Sequence, residues 1–308
     1  MISKKIKVSF LVTSLFFCGA VAFYRENRAS LHFDLIYSTD FVPFIRSNLN
    51  DFTGLFLIDT GSCSNVKLES AILEKMSPIE YVTEISTRYY KGDIITSSEY
   101  KIEKPNFLGI KAKHLYVKSL SSMHDSAATL EKESHGYKNS PFKLSGLSFN
   151  ESKPDEASIG HYFLQNFNLL MDFKNHSLSL YKKGATPLFR FPYGFLTSLK
   201  KIPLSYEEDS GIICLFDTPL GKKRFLLDSG AGTSVIYEKK DPNIEDSSDY
   251  YKTLTLDSFS LNQVQFGPIT LDILSVDYSP PFDGILGTNF FYGKKIYIDF
   301  ENQFLSIL

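Results

Sequence analysis

The chain contains the same unit twice. Phe56-Leu57-Ile58-Asp59-Thr60-Gly61 and Phe225-Leu226-Leu227-Asp228-Ser229-Gly230 are each an apolar run that ends on aspartate, a hydroxyl residue and glycine. A bare Asp-[Ser/Thr]-Gly arises by chance in roughly one chain in ten of this length, so one copy would say little. The downstream sequence ties the two copies together. Ser158-Ile159-Gly160 follows the first and Ile285-Leu286-Gly287 the second, and in both cases the next aspartate, Asp172 or Asp299, comes 12 residues after the glycine. Asp-Phe-x-Asn-x-x-Leu-Ser then closes both copies, a register kept well enough to be a property of the architecture. A chain of this kind has to place two equivalent strand-turn elements, and two aspartates, in equivalent surroundings.

Both copies read as β. Short apolar or alternating runs recur between turn signals, as at Gly54–Ile58, Leu169–Phe173, Gly211–Phe216, Thr253–Leu256 and Ile296–Phe300. Gly221-Lys222 reads as a hairpin turn leading into the Asp228 strand. The expectation is a mainly all-β protein of two pseudo-twofold-related, β-barrel-like lobes, 31–183 and 195–308, joined at Lys182-Lys183-Gly184-Ala185-Thr186-Pro187. Asp59 to Gly160 spans 101 residues and Asp228 to Gly287 only 59, so the first copy carries 42 extra positions. Most fall in the polar stretch 119–157, read as a surface loop or a specificity element, with a helix expected near Ser126–Glu133.

Composition narrows the function. A hydrophobic content of 43% with 15% aromatics indicates a folded core, and a net charge of -2 gives no reason to expect nucleic acid or an anionic membrane as partner. The N-terminus has Lys4, Lys5 and Lys7, an apolar run Val8–Phe17, and the small residues Gly19-Ala20-Val21-Ala22. This pattern predicts a signal peptide over 1–22 cut before Phe23, or an uncleaved anchor as the only membrane contact. The protein is therefore expected to be exported, periplasmic or secreted. The six histidines, His32, His114, His124, His135, His161 and His176, show no zinc-ligand spacing, so no metal and no cofactor is expected. Cys63 and Cys214 read as two thiols without a disulfide framework, and no histidine is tied by motif to Cys63 as a catalytic base.

Two carboxyls delivered on matching strand ends can meet. Held together, they cannot both ionise easily, so they share a proton and titrate as a pair. One then withdraws a proton from a bound water while the other donates to a substrate carbonyl. Asp172 and Asp299 are paired by the repeat too, but they are expected to serve strand ends and turns, as is Asp283 before Gly284.

Phe-Leu-Ile-Asp59-Thr60-Gly61-Ser62 and Phe-Leu-Leu-Asp228-Ser229-Gly230-Ala231, with Asp283-Gly284-Ile285-Leu286-Gly287 downstream, resemble the active-site loops of the aspartic protease superfamily of pepsins and retropepsins. The single-chain duplicated form is similar to bacterial retropepsin-like aspartyl proteases. The resemblance implies the acid protease fold with a cleft between lobes, and an aspartic endopeptidase with Asp59 and Asp228 as catalytic dyad. It further implies that Thr60 and Ser229 brace the dyad through their hydroxyls, beside Gly61 and Gly230, and that Ser62 adds a hydrogen bond to the Asp59 carboxyl. Tyr89, Tyr90 and Gly92, between strand-like Thr83–Thr87 and Ile94–Ser98, are the candidate flap. The implied partner is a peptide or unfolded protein substrate, and the duplication implies a monomer. The alternative is a non-catalytic protein that keeps the fold and binds peptides or a partner without cutting them.

Overall fold

The structure is a computed structural model and describes residues 30–38, 40–76, 79–88, 94–120, 157–184, 200–207, 211–239, 252–276 and 279–307. The N-terminal segment, most of the polar insertion with its expected helix, and Tyr89, Tyr90 and Gly92 lie outside them. Among the described residues the chain is nearly all β, and the expected two-lobed all-β class is what it shows. No helix there is long and apolar enough to cross a membrane.

Contacts divide the described residues into two compact units, one drawn from Leu35–Leu164 and Leu204–Tyr292, the other from Met1–Asp34, Gln165–Pro203 and Gly293–Leu308. The first holds both aspartate-bearing sheets. In one sheet, strand Phe52–Asp59 pairs antiparallel with Pro43–Leu49 and parallel with Ala157–Gly160. In the other, Gly221–Leu227 pairs antiparallel with Gly211–Thr218 and parallel with Gly284–Leu286. Alternation explains the first strand: Phe56 and Ile58 face the core and their neighbours are less buried.

The equivalent phenylalanines three residues before each aspartate anchor the two sheets. Phe56 stacks on Phe107 at 5.3 Å between ring centroids, and Phe107 on Phe163 at 5.0 Å. Phe225 meets Phe216 at 5.8 Å, and Phe216 continues to Phe259, Phe266 and Phe290. Each buried phenylalanine contributes about 1.5–3 kcal/mol by burial, and each ring pair about 0.5–1.5 kcal/mol more. The strand ends that carry the aspartates are thus fixed by packing only one turn of the pleat away.

The hairpin before Asp228 turns earlier than its sequence suggests. Thr218 pairs with Gly221, so Pro219-Leu220 form the turn, and Gly221, at φ 90°, starts the return strand. Thr218 explains this shift: its hydroxyl accepts from the Leu220 N–H at 3.1 Å and donates to the Gly221 carbonyl at 2.7 Å.

The second unit is a six-stranded sheet to which both repeats contribute a hairpin, Phe167–Asp172 with Ser177–Lys182, and Lys295–Asp299 with Phe304–Ile307. Phe167–Asp172 pairs antiparallel with Lys295–Asp299, and Leu170 is opposite Tyr297. These two residues each stand two positions before the repeat's aspartate, so equivalent residues face each other and a local twofold passes through that pair. Asp172 and Asp299 take the turn roles expected of them. Asp172 accepts from the Asn175 N–H at 2.9 Å, and Asp299 from the Asn302 N–H at 2.8 Å. Lys295 Nζ lies 2.7 Å from Asp172. Burial would raise the Asp172 carboxyl, but hydrogen bonds from Lys295 and Asn175 outweigh it and hold it below the usual carboxylate range.

Candidate active site

Asp59 is the last residue of its strand and Asp228 immediately follows its own. Both turns pass over a glycine at the end of the neighbouring parallel strand, Gly160 as its last residue and Gly287 just past it. Gly160 is paired with Asp59, and a Cβ on it would meet the Ser62 carbonyl at 2.7 Å; on Gly287 it would meet the Ala231 carbonyl at 2.6 Å. The next residue ties the turn down in each copy: the His161 N–H donates to the Ser62 carbonyl at 2.7 Å, and the Thr288 N–H to the Ala231 carbonyl at 2.8 Å. The apolar-apolar-Gly element that accompanies each Asp loop in the sequence is therefore its floor. Asp283 closes the start of the second floor strand, accepting from the Arg224 N–H at 2.7 Å.

The two turns interlock. Thr60 Oγ1 donates to the Leu227 carbonyl at 2.8 Å and accepts from the Ser229 N–H at 3.0 Å. Ser229 Oγ donates to the Ile58 carbonyl at 2.6 Å and accepts from the Thr60 N–H at 3.2 Å. Each hydroxyl thus grips the backbone just before and just after the opposite aspartate. With Thr60 1% and Ser229 0% exposed, water cannot replace these four bonds.

This grip brings the carboxyls into a direct hydrogen bond with each other. Gly61 and Gly230 allow the approach. A Cβ on Gly230 would stand 2.8 Å from Asp59 Cγ, and one on Gly61 would overlap the Asp228 carboxyl. Gly61→Ala is therefore expected to push the carboxyls apart and lower the unfolding free energy by about 1–3 kcal/mol. Gly267→Ala, where a methyl meets nothing within 4 Å, is the control, and equal urea midpoints for the two variants would contradict the close approach.

The electrostatics follow from the geometry. Desolvation is the largest influence on both carboxyls and raises both. Around Asp59 the Lys67 charge, the hydrogen bond from Asp228 and the N–H groups of Ser62 and Gly61 pull the other way. Asp228 is pushed up to about 7 by burial and by the charge of Asp59, against the pull of the Gly230 N–H, which donates to its Oδ1 at 2.8 Å. The asymmetry favours one proton on the pair, held on Asp228.

Ser62 acts differently from the expectation. Its N–H serves Asp59, but its hydroxyl is bonded to Ser64 Oγ at 2.9 Å, because the turn directs the side chain away from the carboxyl and towards a second buried serine. The strands flanking the candidate flap are present: Ile79–Arg88 and Ile94–Glu103 pair antiparallel as far as Arg88 with Ile94. Tyr89, Tyr90 and Gly92 themselves lie outside the described residues.

Several neighbours carried no motif. Ser234 Oγ accepts from the Gly287 N–H at 2.9 Å and donates to Asn289 Oδ1 at 2.5 Å. Lys67 and Lys118 lie beside the Asp59 loop, and Lys118 Nζ donates to the Cys63 carbonyl at 3.3 Å. The alternation Val66-Lys67-Leu68-Glu69 was the one signal for Lys67, since it sends lysine to the face opposite the core. His161 is fully buried, and burial pushes its imidazole down to about 4, so it is neutral at physiological pH. Neither Cys63 nor Cys214 is in a disulfide, and burial raises the Cys214 thiol to about 12. Among the described residues no group of three or more His, Cys, Asp or Glu side chains is placed to hold a metal ion.

No family model and no curated protein matches the chain. Among solved structures it is similar to basic 7S globulin from soybean and to conglutin gamma, a basic 7S globulin from lupine seeds. Each aligns with a TM-score of 0.54 and 8% identity, over 90% of this chain and 94% of that chain. A likeness at that identity shows the fold alone. These findings overturn the expected kinship with pepsins and retropepsins: no family model or curated protein supports it, the two solved structures named are basic 7S globulins, and the motif likeness is confined to two Asp loops and their glycine floors. Those segments are held by local steric and hydrogen-bond demands, so they can look alike where the rest of the sequence carries no family signature. The all-β, two-lobed architecture is what the likeness supports.

Proposed function

We propose that the chain hydrolyses peptide bonds as an aspartic endopeptidase, with a water activated between Asp59 and Asp228. One observation carries this reading: two desolvated carboxyls hydrogen-bonded to each other, each supplied by its own copy of the repeat and locked by the other copy's hydroxyl. A lone pair of buried acids is costly to maintain without a use for the shared proton. Asp59, favoured as the anion by two N–H groups and Lys67, takes a proton from the water. Asp228, favoured as the acid, donates to the carbonyl oxygen. The attack gives a tetrahedral diol; the scissile C–N bond then breaks as the amine leaves with a proton from the pair, and no covalent intermediate forms. Both carboxyls come from one chain, so a monomer suffices. Peptides or unfolded proteins are the substrates of this reading, and the Lys-rich, then apolar, then small-residue N-terminus supports export.

A second reading is favoured by the comparisons, which fit it better than they fit catalysis. Two similar structures are basic 7S globulins and no family model matches, and on this reading the chain is a non-catalytic peptide- or partner-binding protein on the same fold. One titration separates the two. Incubation with a reduced, alkylated protein from pH 3 to 8 is expected to yield fragments, with a rate that falls as pH rises through about 7, where the shared proton is lost. Peptide binding without fragments at any pH would favour the second reading.

A further inference from the structure

A row of directly paired residues crosses the sheet beside the dyad. Ser158 is opposite Lys67, Lys67 is opposite Lys118, and Lys118 is opposite Glu99. Directly opposed residues share a face of the sheet, so these four side chains stand side by side. Val66, Leu68 and Val117, the alternate residues, fill the core on the other face. Two ammonium groups at opposed positions repel each other, an arrangement that costs stability unless an anion sits between them. Glu99 faces Lys118 on one side only, and Lys67 forms no ion pair among the described residues.

Three observations point to a ligand. Ser158 is 5% exposed, and its hydroxyl has no hydrogen-bond partner among the described residues although it stands next to Lys67. An unsatisfied buried hydroxyl costs about 1–3 kcal/mol, which an arriving acceptor would recover. Lys118 is fixed by its bond to the Cys63 carbonyl, and burial lowers its pKa, so its charge is desolvated and strengthened towards an anion. Ser158 stands two residues before Gly160, the partner of Asp59, so the row crosses the sheet two residues from the dyad strand end, and the Lys67 charge acts on both carboxyls.

We propose that Lys67, Lys118 and the Ser158 hydroxyl form a subsite beside the dyad that binds an acidic side chain of the peptide, so that the protein selects acidic segments. This rests on the reading of Asp59 and Asp228 as a peptide-hydrolysing pair, and it names the substrate class of that site. Lys67 and Lys118 supply charge-assisted hydrogen bonds to the carboxylate, and Ser158 supplies a further donor. The neighbouring dyad carries a single negative charge because it retains one proton, which limits its repulsion of the incoming acid.

The test measures binding apart from cutting. Fluorescent decapeptide mixtures, randomised except for a central Glu or Gln and amidated at the C-terminus, are titrated into the full chain carrying Asp228→Asn. The Glu mixture is expected to bind about tenfold tighter at low salt, with the advantage shrinking as salt rises. Lys67→Met or Lys118→Met in the same background should reduce the Glu:Gln ratio to about one, while Lys67→Arg should keep most of it. Should Lys67→Met fail to fold, Lys118→Met gives the same reading. A further arm carries Gln and a free C-terminal carboxylate; a preference confined to that arm overturns the side-chain assignment. A Glu:Gln ratio near one in the parent, or a ratio unchanged by both methionine variants, overturns the subsite even if the wild type cuts peptides. A lysine-dependent Glu preference sustains it even if the wild type cuts nothing, in which case only hydrolysis fails.

Discussion

Asp228→Asn is expected to abolish peptide hydrolysis and, at neutral pH, to make the protein more stable. The loss of activity should be about 10³-fold or more, since asparagine can neither hold nor deliver the shared proton. Asp59→Asn should remove activity equally, because it takes away the base. The gain in stability follows from linkage. Asp228 has a folded pKa of about 7, above that of an ordinary carboxyl, so the folded state binds the proton more tightly than the unfolded chain does. Its contribution is fully present below the unfolded value and is lost as pH rises from about 4 towards 7. A neutral amide of nearly the same shape lacks that dependence, and at pH 7 it should raise the unfolding free energy by on the order of 2 kcal/mol. Urea titrations at pH 4 and pH 7 read this directly: the difference between variant and wild type should widen at the higher pH. Cleavage that survives either substitution would sink the dyad assignment, and parallel pH profiles would contradict the buried, proton-sharing pair.

Thr60→Val should cause the largest loss of stability near the site. Valine keeps the shape of threonine but removes the hydroxyl, so the Leu227 carbonyl loses its donor and the Ser229 N–H its acceptor, both in a dry interface. At about 1–3 kcal/mol for each of the two buried groups left unpaired, the expected cost is about 2–6 kcal/mol. Ser229→Ala removes the reciprocal pair of bonds and should cost a similar amount. Because the four bonds share one loop geometry, the double variant should cost less than the two singles together, by about 0.5 kcal/mol or more. Thr60→Ser, which keeps the hydroxyl, is the conservative control. If Thr60→Val unfolds within about 0.5 kcal/mol of wild type, the interlock is not what holds the loops.

Much of the lobe architecture was legible because it rests on local patterns. A short apolar run located the strand at Gly54–Ile58 to within two residues at its start and one at its end, and alternation located Thr253–Leu256 outright. The shared spacing from glycine to aspartate anticipated that Gly160 and Gly287 do the same work under their loops. Other features depend on cross-strand register, which no local pattern encodes. Thr218 captured the hairpin turn two residues before the glycine that seemed to mark it. Ser64, with no motif of its own, took the Ser62 hydroxyl from the Asp59 carboxyl. Lys67, Lys118 and Ser158 are distant in sequence and became neighbours only when Val66–Glu69 paired with strands on both sides.

The sequence by itself determined that there are two equivalent aspartates, each at the end of an apolar strand, each followed by a hydroxyl and a glycine and each backed by a second glycine. Those are short-range demands of strand, turn and close approach, and they are met by residue type alone. Tertiary structure decided that the carboxyls touch, that each hydroxyl grips the opposite copy's backbone, and that one hairpin from each repeat pairs in a separate six-stranded sheet. It also decided that two lysines and a buried serine stand in one row beside the pair. Such contacts depend on which strands pair and in what register, a choice made by burial of the whole core and not by any single run of residues.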